Sequence, residues 1–293
     1  MLRHDSISFS IFIGLALVSA LCSCNGIGQT NGLKSYLETK QNYIAALEKL
    51  NPEWGSQYRL ATIPPFAEIY KPGTPLLKGS FEPLTDSCLV PEQDMTPKDV
   101  ADPPMSSAKR TFNTKAGLPS LLSEAVKQVV DLGASVDLTK EAQFSYSDLS
   151  ALNPRRDKLE AALNKLDCLG VIAGKDIILI RGLVIGKETI FSTSSFGADA
   201  NVKFLKDNAI QVKYNSSGGY EVKDSRSRGR FWIVGEWRID VPGLTASMSA
   251  AERKARIEDF LRTETKKTPV SVKEATPSQK TIEALEEKAS RIR

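Results

Sequence analysis

The stretch that most constrains this chain is one of near-perfect alternation. Ala134, Val136, Leu138, Ala142, Phe144 and Tyr146 alternate with Ser135, Asp137, Thr139, Glu141, Gln143 and Ser145, and only Lys140 breaks the apolar set. A period of two sends successive side chains to opposite faces, so this segment is expected to be a long β-strand with one face buried and one wet. Ile177 to Ile185 is nearly continuous apolar sequence, which predicts a central strand covered on both faces. An antiparallel meander is expected to follow. Val202 to Leu205 and Ile210 to Tyr214 are separated by Lys206-Asp207-Asn208, and Asn215 to Gly219 makes the next turn. Phe231 to Ile239 then closes the sheet.

Helical spacing appears on both sides of these strands. Leu121, Leu122, Ala125, Val126, Val129 and Val130 mark one face of a helix over about 119–131, ended by Gly133. Asn153-Pro154 reads as an N-cap followed by proline at the first helical position, opening a helix to about Leu166. The fold class that follows is α+β: an antiparallel or mixed sheet from about Gly133 to Val241 with these helices packed on it.

Upstream, Leu33, Tyr36, Leu37, Ile44, Leu47 and Leu50 recur at helical spacing, predicting an amphipathic helix over 32–50 that stops at Asn51-Pro52. From Tyr58 to Thr111 prolines punctuate the chain, and Pro72-Gly73 has the form of a type II turn centre. This part is expected to wrap the core as an irregular layer with short strands. Downstream, Ser249-Ala250-Ala251-Glu252 is a capping box, Lys266 to Ala275 a linker, and Thr276-Pro277-Ser278-Gln279 a second box. Ile257, Phe260, Leu261, Ile282 and Leu285 give the two helices only narrow apolar stripes, able to dock on the core or on a partner, and the tail is expected to be largely solvated. The organisation read from these changes of character is 1–23 signal, 24–57 tether and amphipathic helix, 58–112 proline-rich region, 113–244 α+β core and 245–293 charged helical tail.

The first 24 residues carry an address. A charged start at Arg3 and His4 leads into the apolar run Ile7 to Leu21, too short to span a bilayer comfortably but suited to a secretion signal. The run ends at Leu21-Cys22-Ser23-Cys24, which resembles the lipobox of bacterial lipoproteins, with Leu21 at the large position, Ser23 at the small one and Cys24 as the modified residue. The resemblance implies cleavage before Cys24, lipidation of its sulfur and a membrane partner reached through the lipid. Each buried CH₂ contributes roughly 0.8 kcal/mol, so several acyl chains anchor a protein durably. Asn25, rather than the aspartate of inner-membrane retention signals, implies the outer membrane, facing the periplasm.

Composition narrows the chemistry. The formal net charge of +4 over 293 residues is small and does not describe a nucleic-acid-binding protein. The one histidine is His4, inside the signal, so the chain beyond it has no imidazole for a Ser-His-Asp triad, a Cys-His dyad or a histidine zinc site. No cofactor motif is present, since neither Gly170 to Gly174 nor Gly182 with Gly186 forms a phosphate-cradling loop. Ser106-Ser107-Ala108-Lys109 has the Ser-x-x-Lys spacing of penicillin-recognising enzymes but lacks their accompanying elements. Carboxylate-pair chemistry on glycan survives this filter, with Asp137, Glu141, Asp148 and Asp157 as the acids.

Two further features stand out. Cys88 and Cys168 are the cysteines left outside the signal, and in an oxidising compartment they could pair. Arg226, Arg228 and Arg230 alternate toward Phe231-Trp232, so a strand would set the three guanidinium groups on one face to meet phosphate or an acidic partner, with Trp232 beside them. The expected function is therefore a non-enzymatic envelope lipoprotein that binds, as scaffold, assembly factor or adaptor, with the C-terminal helices as the protein-partner element. The alternatives are a carboxylate-pair hydrolase and a protein that inserts long amphipathic strands into a membrane as oligomers.

Overall fold

The computed structural model describes residues 40–64, 70–100, 109–111, 130–131, 141–192, 203–204, 210–214, 220–245, 247–263 and 271–291. The signal segment, Cys24 and the expected helix over 119–129 lie outside them. A helix over 40–50 (α1) and the short helix Pro52–Ser56 (α2) precede strand Arg59–Thr62 (β1). Next come Pro75–Leu77 (β2), Met95–Asp99 (β3), Lys109–Thr111 (β4), Val130–Asp131 (β5) and the long strand Glu141–Pro154 (β6). Helices Arg156–Leu163 (α3) and Leu166–Ile172 (α4) lead into Asp176–Ser192 (β7). Lys203–Phe204 (β8), Ile210–Tyr214 (β9) and Tyr220–Asp240 (β10) follow. The chain ends with helix Ala250–Thr263 (α5), strand Ser271–Ala275 (β11) and helix Gln279–Arg291 (α6).

The fold is α+β. Nine strands form one antiparallel sheet with the order β1-β10-β7-β6-β3 along its main path. Three long strands make its frame, and short ones dock along their margins. On the outer edge of β10, β9 pairs with 220–224, β1 with 231–234 and β11 with 236–240. Beyond β7, β2 takes positions 177–179 and β6 pairs within 183–192, while β3 and β4 share the outer edge of β6.

Both faces of the central strands are buried, as the continuous apolar run implied. Ile177 and Leu179 join one core with Trp237, Ile239, Leu163, Leu169, Ile257 and Phe260, so α3, α4 and α5 cover that face. Ile178 and Ile180 turn to the other face and pack with Trp232, Val234, Leu76, Ile282 and Leu285, under α6. Burying one such side chain contributes roughly 1.5–3 kcal/mol, and these two layers supply most of the drive to fold. The irregular N-terminal layer is fastened at Pro72-Gly73, where Thr74 N–H donates to the Lys71 carbonyl at 3.0 Å and Gly73 takes φ +95°.

Several expectations are corrected. Asn153 and Pro154 end β6, paired with Thr96 and Met95, and the N-cap of α3 is Arg155. Proline pushes the residue before it to extended backbone, which suits a strand end as well as a cap. Val130 and Asp131 form a strand with β8 rather than the last turn of a helix, so β8 pairs there and β9 with β10. The expected linker contains β11. The C-terminal helices are docked: Ile257, Phe260, Ile282 and Leu285 are all buried, because the sheet supplies the apolar partner their narrow stripes need. At the second capping box it is Ser278 that accepts the Thr281 N–H, at 3.1 Å, while Thr276 donates to the Ser56 carbonyl.

Candidate functional site

Helix α1 lies across the long strands through a buried charged junction. Lys40 lies on the helix, and its spacing to Tyr43, Ile44 and Leu47 places all four on the inward face, buried. Its ammonium sits 2.9 Å from Glu188 of β7. The same carboxylate accepts the Tyr146 hydroxyl of β6 at 2.8 Å and faces Arg230 of β10 at 3.2 Å. Arg230 also donates Nε to the Gly186 carbonyl at 3.0 Å. One carboxylate thus joins a helix to three strands.

Around the charges stands an aromatic collar. Tyr43 packs edge-on to Tyr146 with ring centres 4.8 Å apart and parallel to Phe231 at 6.1 Å. Tyr146 meets Phe231 at 5.3 Å, and Lys40 lies 5.3 Å over the Tyr146 ring. Burial pulls the Lys40 ammonium down to about 8, with Glu188 opposing the shift. Burial would raise Glu188, but the fields of Lys40 and Arg230 and the hydrogen bonds from Lys40 and Tyr146 outweigh it, lowering the carboxyl to about 2. At neutral pH the junction is ionised, two cations on one anion. Its chemistry is that of a fastener.

Two further carboxylates seal the outer edge of β1. The Ile63 N–H bonds inward to the Arg230 carbonyl of β10, so the N–H groups of Leu60 and Thr62 point away from the sheet. Glu48 of α1 accepts the first at 2.9 Å and Glu286 of α6 the second at 2.5 Å. Two helices supply side-chain oxygens where a neighbouring strand would supply carbonyls, and the edge is closed to further pairing. Burial pushes Glu286 up to about 7, against the lowering effect of the Thr62 N–H.

The residues singled out by sequence are dispersed. The alternation of the arginines is broken by register shifts of β10 between Asp224 and Arg228 and between Gly229 and Phe231. Arg226 reaches Asp224 at 2.8 Å and Arg228 reaches the same carboxylate at 3.9 Å. Arg230 is in the buried junction and Trp232 is fully buried against Tyr70, so these two are not surface contacts. Cys88 and Cys168 are joined as a disulfide with Cα atoms 5.0 Å apart, tying the irregular layer to α4. Asp148 pairs with Lys187 and Asp157 with Arg155, on separate elements. Asp137 lies outside the described residues, as does the side chain of Glu141. Among the described residues no three His, Cys, Asp or Glu side chains are grouped to hold a metal ion, and no helix is long and apolar enough to cross a membrane.

Sequence reasoning missed Lys40, Glu188, Glu48 and Glu286. A signal existed for two of them. Lys40 interrupts the apolar stripe of α1, and Glu286 falls between Ile282, Leu285 and Ala289 on the inward face of α6.

No protein-family model matches the chain, and no curated protein matches it. Among solved structures it is similar to a bacterial gasdermin from Bradyrhizobium tropiciagri at a TM-score of 0.33 and 11% identity, over 67% of this chain and 86% of that one. A likeness at that level carries neither fold nor function.

Proposed function

We propose that this is a lipid-anchored envelope protein that works by binding, an adaptor or scaffold at the outer membrane facing the periplasm. The observation that carries the reading is the sequence setting of Cys24, upstream of a helix fastened to the sheet. Cys24 has the sequence setting of a lipidated cysteine, and downstream of it Lys40 of α1 has its ammonium fixed to the long strands through Glu188. The disulfide between Cys88 and Cys168 is consistent with an oxidising compartment.

The inward stripes of the C-terminal helices are occupied, so the partner surface falls to their outward residues, such as Lys254, Glu258 and Arg262 on α5. Removing 245–293 would strip the core, whereas reversing these charges would not. The test has two parts. Palmitate labelling and membrane fractionation of wild type and Cys24→Ala check the anchor: an unlabelled, unprocessed or mislocalised variant is expected, and a variant processed and membrane-bound like wild type overturns it. Crosslinked co-purification with K254E and R262E checks the adaptor, and recovery of the same partners by both forms overturns the assignment of that surface.

One observation favours a second reading, insertion of strands into a bilayer by several copies. β6, β7 and β10 run for 14, 17 and 21 residues, beyond the roughly 9–11 that span a membrane as a tilted strand. A sheet five strands wide along its main path cannot close a barrel alone, so oligomers are required. Dye release from vesicles by the purified chain is the expected outcome, and intact vesicles at micromolar protein sink this reading.

A further inference from the structure

Arg253 differs from the arginines around it. Arg226, Arg230, Arg238, Arg256 and Arg262 each meet a carboxylate. Arg253 instead donates Nη2 to the Ala173 carbonyl at 2.9 Å, capping the end of α4, and has no carboxylate partner among the described residues. That cap uses one of the five N–H groups of the guanidinium and fixes its position without neutralising it.

The side chain stands between two adjoining clefts of about 420 and 240 Å³, where α4 and α5 meet the ends of β7 and β10. In the larger one, Arg238 and Asp240 neutralise each other at 2.9 Å, with Asp176 and Lys273 completing their network. What remains uncompensated is Arg253 and Lys175, and Lys175 has no carboxylate partner among the described residues either. Gly170 and Gly174 border the cleft, and a Cβ built on either meets nothing within 4 Å, so this side is bare main chain with room above it. Val241 and Leu244 supply an apolar wall and Thr245 a hydroxyl.

We infer that this cleft binds a phosphoryl group, Arg253 presenting a planar fork and Lys175 a point charge. A carboxylate carries one charge and is satisfied by one fork. A phosphate monoester carries close to two charges on three oxygens, and so engages both cations at once. The larger volume lies within the usual small-ligand range of roughly 300–1,000 Å³, and the apolar wall suits the group that bears the phosphate. Because the guanidinium is already held by Ala173, little side-chain freedom is lost on binding.

The test is thermal unfolding of the full chain in detergent with inorganic phosphate, against chloride at equal ionic strength. Phosphate up to about 20 mM is expected to raise the midpoint, since only the folded state has the site. R253Q should weaken the effect about tenfold or more, and R253K, which keeps the charge but not the fork, by less. R253Q also removes the cap on α4, so K175Q provides the independent check: its fold is untouched and its phosphate response should fall several-fold. Soluble short-chain phosphatidic acid, titrated beside inorganic phosphate, separates the two sources of this chemistry. Tighter binding of the lipid assigns the site to a headgroup, and equal binding assigns it to a free or small phosphate. A phosphate response absent in wild type, or the same in wild type, R253Q and K175Q, overturns the proposal.

Discussion

Glu286 and Thr62 stand 224 positions apart in the chain and meet at 2.5 Å, the carboxylate accepting the main-chain N–H of the edge strand. Burial pushes this carboxyl from an ordinary 4.5 up to about 7, so the folded state holds its proton more tightly than the unfolded state does. Its contribution to stability is complete below pH 4.5 and is lost as pH rises through 7. The loss amounts to about 3 kcal/mol at most. The chain has no histidine other than His4. Denaturant midpoints of wild type should fall between pH 5 and 7.5, and E286Q, which keeps an acceptor oxygen but no charge, should flatten the profile. An equal slope in E286Q contradicts this account.

Glu188 behaves in the opposite sense. Its folded value of about 2 lies below the unfolded one, so its stabilisation is present above pH 4.5 and lost as pH falls toward 2. E188Q leaves Lys40 and Arg230 buried without an anion and should cost about 3–5 kcal/mol. K40M should cost less, about 1–2 kcal/mol, because Glu188 keeps Arg230 and Tyr146. Urea unfolding of the two variants at pH 7 ranks them, and K40M as harmful as E188Q would show that the helix contact, not the anion, matters most.

Cys88→Ser with Cys168→Ser, or reduction of wild type, opens a loop closed across 80 positions. Chain entropy alone makes that worth about 4 kcal/mol. A shift in the guanidinium midpoint measures it, and no shift on full reduction rejects the estimate.

Two glycines with similar backbone separate strain from collision. Gly73 has φ +95°, and a Cβ there would lie 2.4 Å from the Cys88 carbonyl oxygen. Gly79 has φ +102° with nothing within 4 Å of a Cβ. Gly79→Ala should cost about 1–2 kcal/mol from left-handed backbone alone. Gly73→Ala should cost clearly more, because the collision is with main chain. Equal costs in thermal melts would mean that the layer carrying Cys88 yields to accommodate the methyl.

Legibility in the sequence followed the range of the forces involved. Local pattern marked β7 and parts of β6 and β10, because continuous apolarity reports burial directly; the first seven positions of the alternating run, 134–140, lie outside the described residues. The capping box at Ser249 is also local, and its two reciprocal bonds form at 2.7 and 3.3 Å. The C-terminal helices looked too thinly apolar to fold alone, and nothing local showed where they would dock, since the sheet face that receives Ile282 and Leu285 is built from residues far away in the chain. The candidate site was hidden for the same reason. Nothing near Glu188 announces that Lys40, Tyr146 and Arg230 converge on it. The arginine alternation misled because β-bulges in β10 reset which face each side chain takes.

The bond between Cys88 and Cys168 also governs what happens when the chain is cut. A protease that nicks the backbone anywhere between those two positions leaves a molecule still held together by covalent bonds. The nick adds only one water to the mass, and the two pieces separate only when the disulfide is reduced. Proteolysis of the purified protein would therefore release no fragment from a single such cut, and covalent continuity survives one break anywhere across more than a quarter of the chain.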